Sequence, residues 1–318
     1  MTRATVSPAP LPPATPKAAG RALWAGIGTL CLAAQSWVAA VWITRGGLHA
    51  VPSSGLDLSD APRVIGWAMQ AAMAVLVLLV VLHAIRDCVR ARTVTVAAAL
   101  AAGYLLAAWT DVLVNYARPA FVYNRSLINV ATWGPAIPGW HSPQPQWQAE
   151  PILVVGFGFL AAAVLAHATA AVAAITLQRF RLRGPVPTYL TCALAGALID
   201  TAVEMLWIRS GAFAYPYAIR EVSLFAGHWY QFPLTHPLLI GTTFIGPAAL
   251  LLCRHRQGHL TILSPHPVRH GMVTLLAGVG IVTAMILAFS AATVALSLHG
   301  GPPPPDLPSY LRLPTGGA

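Results

Sequence analysis

Apolar residues run along this chain in seven long blocks, at about 23–43, 64–85, 94–116, 151–177, 188–208, 234–253 and 271–297, with shorter polar stretches between them. A membrane-crossing helix needs roughly 20 consecutive apolar residues. The pattern therefore predicts an all-α fold, a polytopic membrane helix bundle of about seven transmembrane helices occupying residues 21–298. Residues 1–20, MTRATVSPAPLPPATPKAAG, are rich in Pro, Ala and Thr and are expected to form a disordered tail. They lack the short apolar region and cleavage site of a signal peptide. The Pro-rich end, HGGPPPPDLPSYLRLPTGGA (299–318), is expected to be a second loose tail. No internal repeat is evident.

Composition supports the membrane reading. Of 318 residues, 57% are hydrophobic and only 9% charged, and the mean hydropathy is +0.66, too apolar for a soluble domain of this size. The net charge of +10 is a topology signal rather than a sign of a nucleic-acid partner. Twelve of the nineteen Lys and Arg residues fall in the N-terminal tail and the loops after the second, fourth and sixth blocks, and seven on the other side. By the positive-inside rule the N-terminus is cytoplasmic, in a multi-pass protein of the plasma membrane, and the C-terminus lies outside. Cys31, Cys88, Cys192 and Cys253 show no CxxC spacing and indicate neither a disulfide framework nor a zinc site.

Against this background three acids stand out, because Asp111, Asp200 and Glu204 lie inside predicted spans. A carboxylate facing lipid at mid-bilayer costs about 2.5–3.5 kcal/mol on insertion scales, so all three should face the bundle interior. Asp200 and Glu204, four apart, share one helical face, with the small residues Ala193, Gly196 and Ala197 along the same stripe. Tyr104, Asp111 and Asn115 suggest a similar polar stripe on the third helix, so that two helices present acids at one level in the outer half of the membrane.

The loops meeting that level are long, aromatic and poor in charge, suiting a structured cap. One carries Tyr116, Tyr123, Trp133, Trp140, His141, Trp147 and Glu150; the other carries Phe213, Tyr215, Tyr217, His228, Trp229, Tyr230 and His236. Taken singly, Trp133, Trp147, Trp229 and Tyr230 read as an interfacial belt, and Glu150 before a proline as an acid at a helix start. His255, His259, His266 and His270 have i, i+4 spacing, but Arg254, Arg256 and Arg269 crowd the same loop, so this reads as a solvated cytoplasmic face and no metal site is expected. VVGFGFL lies in a span and lacks the third glycine of a nucleotide loop, and NRS at Asn124 is a short, common match to a glycosylation sequon.

The series Asp111, Asn115, Tyr116, WGPAIPGW (133–140), Glu150, DTAVE (200–204), AYPY (214–217) and LFAGHWYQFPLTHP (224–237) resembles the AveC-like spirocyclases over about residues 100–245. These are membrane proteins named after the spiroketal-forming enzyme of avermectin biosynthesis. The resemblance implies cyclisation of a dihydroxy-ketone polyketide to a spiroketal, in some relatives with a dehydration as well. The partners would be a lipophilic polyketide-type substrate and membrane lipid, with no metal or redox cofactor. Paired carboxylates suit that chemistry, because each stage needs an acid to protonate oxygen and a negative charge near an oxocarbenium ion. On this reading Glu204 donates the proton, Asp200 is its anionic partner and Asp111 orients a hydroxyl or acts as base. Asn115, Tyr116, Trp140, Glu150, Tyr215, Trp229 and His236 would bind substrate and shape the pocket. Two other classes place acids or aromatics similarly: a proton-coupled transporter of a small lipophilic metabolite and a non-catalytic lipid-binding membrane protein. The transporter usually shows repeats or glycine-broken helices in both halves.

Overall fold

The computed structural model describes residues 16–53, 55–56, 59–264 and 271–313. Among these residues eight α-helices form, α1 (Pro16–Thr44), α2 (Asp60–Ala91), α3 (Val96–Ala107), α4 (Phe159–Arg179), α5 (Pro185–Arg209), α6 (Thr235–Leu239), α7 (Ile245–Arg256) and α8 (Gly271–Ser297). They build seven segments long and apolar enough to cross a membrane, and the chain is a mostly helical multi-pass membrane protein. The sixth span is α6 and α7 joined through a π turn, Ile240–Phe244, and a second π turn, Ile152–Gly156, leads into α4. Both follow from local chemistry. Pro247 has no N–H to offer the carbonyl four residues back, and Phe157 N donates to Ile152 O, five residues back, at 2.8 Å just after Pro151.

Glycine lets the spans approach closely at the centre of the bundle. A Cβ on Gly278 of α8 would lie 2.4 Å from the Ala99 carbonyl oxygen of α3, and one on Gly241 would lie 2.2 Å from that of Ala193 on α5. Such small-residue contacts hold membrane helices together by close packing, because lipid supplies no hydrophobic drive between them.

The long loops at one end of the bundle carry three antiparallel strand pairs. In the first, β1 (Val122–Tyr123) pairs with β4 (Phe213–Ala214), in register Val122↔Ala214 and Tyr123↔Phe213. In the others, β2 (Asn129–Ala131) pairs with β3 (Ala149–Pro151), and β5 (Ser223–Leu224) with β6 (Phe232–Pro233). Side chains alternate across a strand, which sets Phe121, Tyr123, Phe213 and Tyr215 on one face. The rings meet there, Phe121 and Tyr215 at 4.7 Å and Tyr123 and Phe213 at 6.2 Å between centroids. Val122 and Ala214 face the other way.

That other face corrects the expectation of a loose C-terminal tail. Val122 and Ala214 are buried against Leu307, Tyr310 and Leu311, while Arg125 holds the same segment by donating to the Ser309 and Arg312 carbonyls at 3.0 and 3.1 Å. Prolines lower the entropy of the unfolded segment, and the aliphatic and tyrosine side chains between them supply apolar surface to bury. At the other terminus α1 begins at Pro16, within the expected tail; residues 1–15 lie outside the described residues, as do His266 and His270.

Candidate active site

The unbroken α-helical period through α5 places Asp200 and Glu204 one turn apart on its buried face. Two other elements bring partners to Glu204. Tyr215, just beyond β4, donates its hydroxyl to Glu204 Oε1, and His236 in the first turn of α6 sets Nε2 at 3.0 Å from the same oxygen. Asp200, Glu204 and His236 are each 7% exposed, so these contacts form out of water. Asp200 Oδ2 and Glu204 Oε2 meet no N–H or O–H donor among the described residues, and the two carboxyls each set an oxygen within 4.8 Å of the other's. Asp200, Glu204 and His236 each offer one ligand atom within 4.8 Å of the others, a spacing that also admits a metal ion.

Asp111 reaches the same space from the opposite side. The third span tightens after Ala107 into a 3₁₀ segment, Ala108–Asn115, and there Asp111 Oδ2 accepts the Tyr123 hydroxyl at 2.7 Å. Asp111, Asp200, Glu204 and His236 line one cavity of about 320 Å³, together with Tyr123. The rest of the wall is apolar, with Phe121, Phe213, Phe244 and Phe289 prominent. Tyr104, beneath it, donates to the Phe244 carbonyl at 3.1 Å.

Outside the spans, burial first and neighbouring acids second push the Tyr123 and Tyr215 hydroxyls well above the ordinary phenol range. Both stay protonated as donors. Burial likewise raises Glu150 well above the carboxylate range, with the charge of Asp111 adding to it. Glu150 sits in β3 opposite Val130, beside Thr132, and among the described residues neither of its oxygens has a partner of ordinary hydrogen-bond geometry. It precedes the π turn that starts at Ile152, as an acid at a helix start would, but is buried there, near enough to Asp111 and Tyr123 for their charges to interact.

The structure separates several residues that the spacing had grouped. Four residues span roughly 40° of helix rotation in an α-helix but about 120° in a 3₁₀ helix, so Asn115 does not follow Asp111 into the cavity. Its Oδ1 instead accepts the Phe121 N–H at 2.9 Å, anchoring the start of the loop. Tyr116 donates to the Pro138 carbonyl at 3.0 Å and meets Trp140 edge to face. Trp140 lines a separate groove with Trp37 and Arg45, because the chain turns away after Asn115. Trp229 packs on the far side of the β1–β4 pair, against the cluster of Leu307 and Tyr310. Tyr215 touches Glu204 but backs the cavity wall, lining a small adjoining pocket of about 40 Å³ that shares His236 with the main one. His255 and His259, at the opposite end, line neither cavity.

Tyr123 was not among the expected site residues, although a signal for it exists. The words Phe121-Val122-Tyr123 and Phe213-Ala214-Tyr215 repeat an aromatic, small or aliphatic, aromatic alternation, the period of two strands with a common aromatic face. Their pairing makes that face the roof of the cavity.

No curated protein and no solved structure matches the chain. Residues 90–313, which carry every acid and aromatic of this site, match the family described as Spirocyclase AveC-like. The chain belongs to the AveC-like spirocyclase family.

Proposed function

We propose that this protein closes a spiroketal, or a related cyclic ketal, from a dihydroxy-ketone polyketide by acid catalysis in the acid-lined cavity. The observation that carries the reading is the pair of buried carboxyls, Asp200 and Glu204, joined by Asp111 and His236 in a chamber whose remaining wall is aromatic and aliphatic. Two carboxyls this close cannot both hold full charge out of water, and one proton between them satisfies both unpartnered oxygens. Tyr215 and His236 converge on Glu204 Oε1 and so favour negative charge there, leaving the shared proton on the side facing the cavity.

The reaction then runs with its atoms balanced. One substrate hydroxyl adds to the ketone to give a hemiketal. The hemiketal hydroxyl takes the proton of the carboxyl pair and leaves as water. The remaining oxocarbenium ion is held by the negative charge now on Asp200 and Glu204. The second hydroxyl attacks it, and its proton returns to the pair, so one dihydroxy-ketone yields one spiroketal and one water. Asp111, held by Tyr123, orients or deprotonates the attacking hydroxyl. The aromatic roof folds the chain toward one stereochemical course. The distribution of basic residues, twelve against seven, supports a cytoplasmic N-terminus in the plasma membrane, with the cavity in the outer half.

Purified protein in detergent with a linear dihydroxy-ketone tests this, with spiroketal stereoisomers separated by chromatography because spiroketals also form spontaneously in acid. One stereoisomer in excess over the spontaneous mixture supports the reading; the spontaneous mixture at the spontaneous rate contradicts it. Because Asp200, Glu204 and His236 are spaced to admit a metal ion, the assay is run with and without chelator. Activity lost to chelator and restored by a divalent cation would replace the shared proton with a Lewis acid at the same three residues.

A further inference from the structure

The roof of the cavity is closed. Phe121, Tyr123 and Phe213 cover its loop end, and the segment around Leu307, Tyr310 and Leu311 backs them from above. The side of the cavity is different. It is bounded there by Met73 and Leu76 of α2, Ala161, Val164 and Leu165 of α4, and Val203 and Trp207 of α5, and Val164 is 38% exposed. On α4, Val164 continues one exposed stripe with Ala168, Val172 and Ile175, the face a spanning helix turns to lipid. Of the described residues of α2, only Gly66, Gln70 and Met73 are buried, and beyond Met73 the helix meets the bundle through half-buried side chains alone, Val77, Val80 and Val81 among them. Inside this gap the polar groups, Asp200 and Glu204, lie deep and the aliphatic ones lie toward the mouth.

We propose that the cavity admits its substrate sideways from the bilayer through the gap between α2 and the α4–α5 pair. The ligand it fits is an amphiphile whose oxygenated segment reaches Asp111, Asp200 and Glu204 while its hydrocarbon chain stays between Leu76 and Val164. A ligand drawn from lipid need not cross water with its chain exposed, and its apolar length finds apolar wall throughout. The inference deepens the cyclase reading and rests on it for the reacting groups, but the route can be tested without turnover.

The first arm uses a long-chain ketone with no hydroxyls and a diazirine at the chain terminus, photolysed with the protein in lipid nanodiscs and mapped by peptide mass spectrometry. Label on the α2 and α4 peptides containing Leu76 and Val164 is expected. Label confined to the loops around β1 and β4 would overturn the sideways route. The second arm compares kcat/KM for long-chain and short-chain dihydroxy-ketones in Val164→Trp and in Val172→Trp, which lies on the same stripe outside the cavity. The long-to-short ratio should fall by about tenfold in Val164→Trp and hold in Val172→Trp. An equal ratio in both variants would overturn the proposal. If the wild type converts neither substrate, the cyclase reading fails while the labelling still decides the route.

Discussion

At the scale of single residues the site turns on one oxygen, Glu204 Oε1, which receives the Tyr215 hydroxyl and faces His236 Nε2. Tyr215→Phe keeps the ring and its contacts with Phe121 but removes that donor. The turnover number should fall about 10- to 100-fold, the 1.5–3 kcal/mol of a hydrogen bond to a charged group, with KM little changed; steady-state kinetics on the purified variant checks it. Tyr123→Phe, which frees Asp111, should lower turnover in the same range, and a variant as fast as wild type would remove the Asp111–Tyr123 pair from the mechanism. The pairing of Asp200 with Glu204 was legible because i, i+4 spacing has a fixed meaning in an unbroken helix. The grouping of Asp111 with Asn115 failed because nothing in AAWTDVLVN announces a change of helical period. Tyr215 was legible only as a pocket residue, since its bond to Glu204 depends on where β4 leaves the chain.

At the scale of elements the loops behave as a folded cap. The seven spans follow from apolar block length alone, and their observed ends lie close to the expected ones. The strand pairs of two or three residues, and the C-terminal segment that buttresses one of them, are set by tertiary contacts between distant parts of the chain, which local pattern does not encode. Glu150, in the β2–β3 pair, offers a test of how this cap is held. Its folded-state carboxyl is raised above the unfolded value by burial and by Asp111. It therefore contributes stability that is fully present below its ordinary titration range and is lost as pH rises toward the raised value. Glu150→Gln, which cannot ionise, should lose part of the decline in thermal stability between acid and neutral pH and be at least as stable as wild type near pH 7. Unfolding followed in detergent across that range measures this; identical pH slopes for the two proteins would mean that Glu150 is not held neutral.

At the scale of the whole molecule the account predicts a sided protein, with the cap and cavity toward the outside and the arginine-rich loops in the cytoplasm. In a variant with its native cysteines replaced, Ala226→Cys, exposed in the capped end, should react with an impermeant maleimide on intact cells. Gln257→Cys, exposed at the other end, should react only after permeabilisation, and the reverse pattern would invert the topology while leaving the chemistry in place. The most direct test of the central claim is Glu204→Gln, which preserves size and the helix face but removes the carboxyl that shares the acidic proton with Asp200. Measured beside wild type at matched protein level, with chelator present and stereoisomers resolved, stereoselective cyclisation should fall by roughly the 10²–10⁴ of a lost general acid. Undiminished stereoselective product from Glu204→Gln would contradict it.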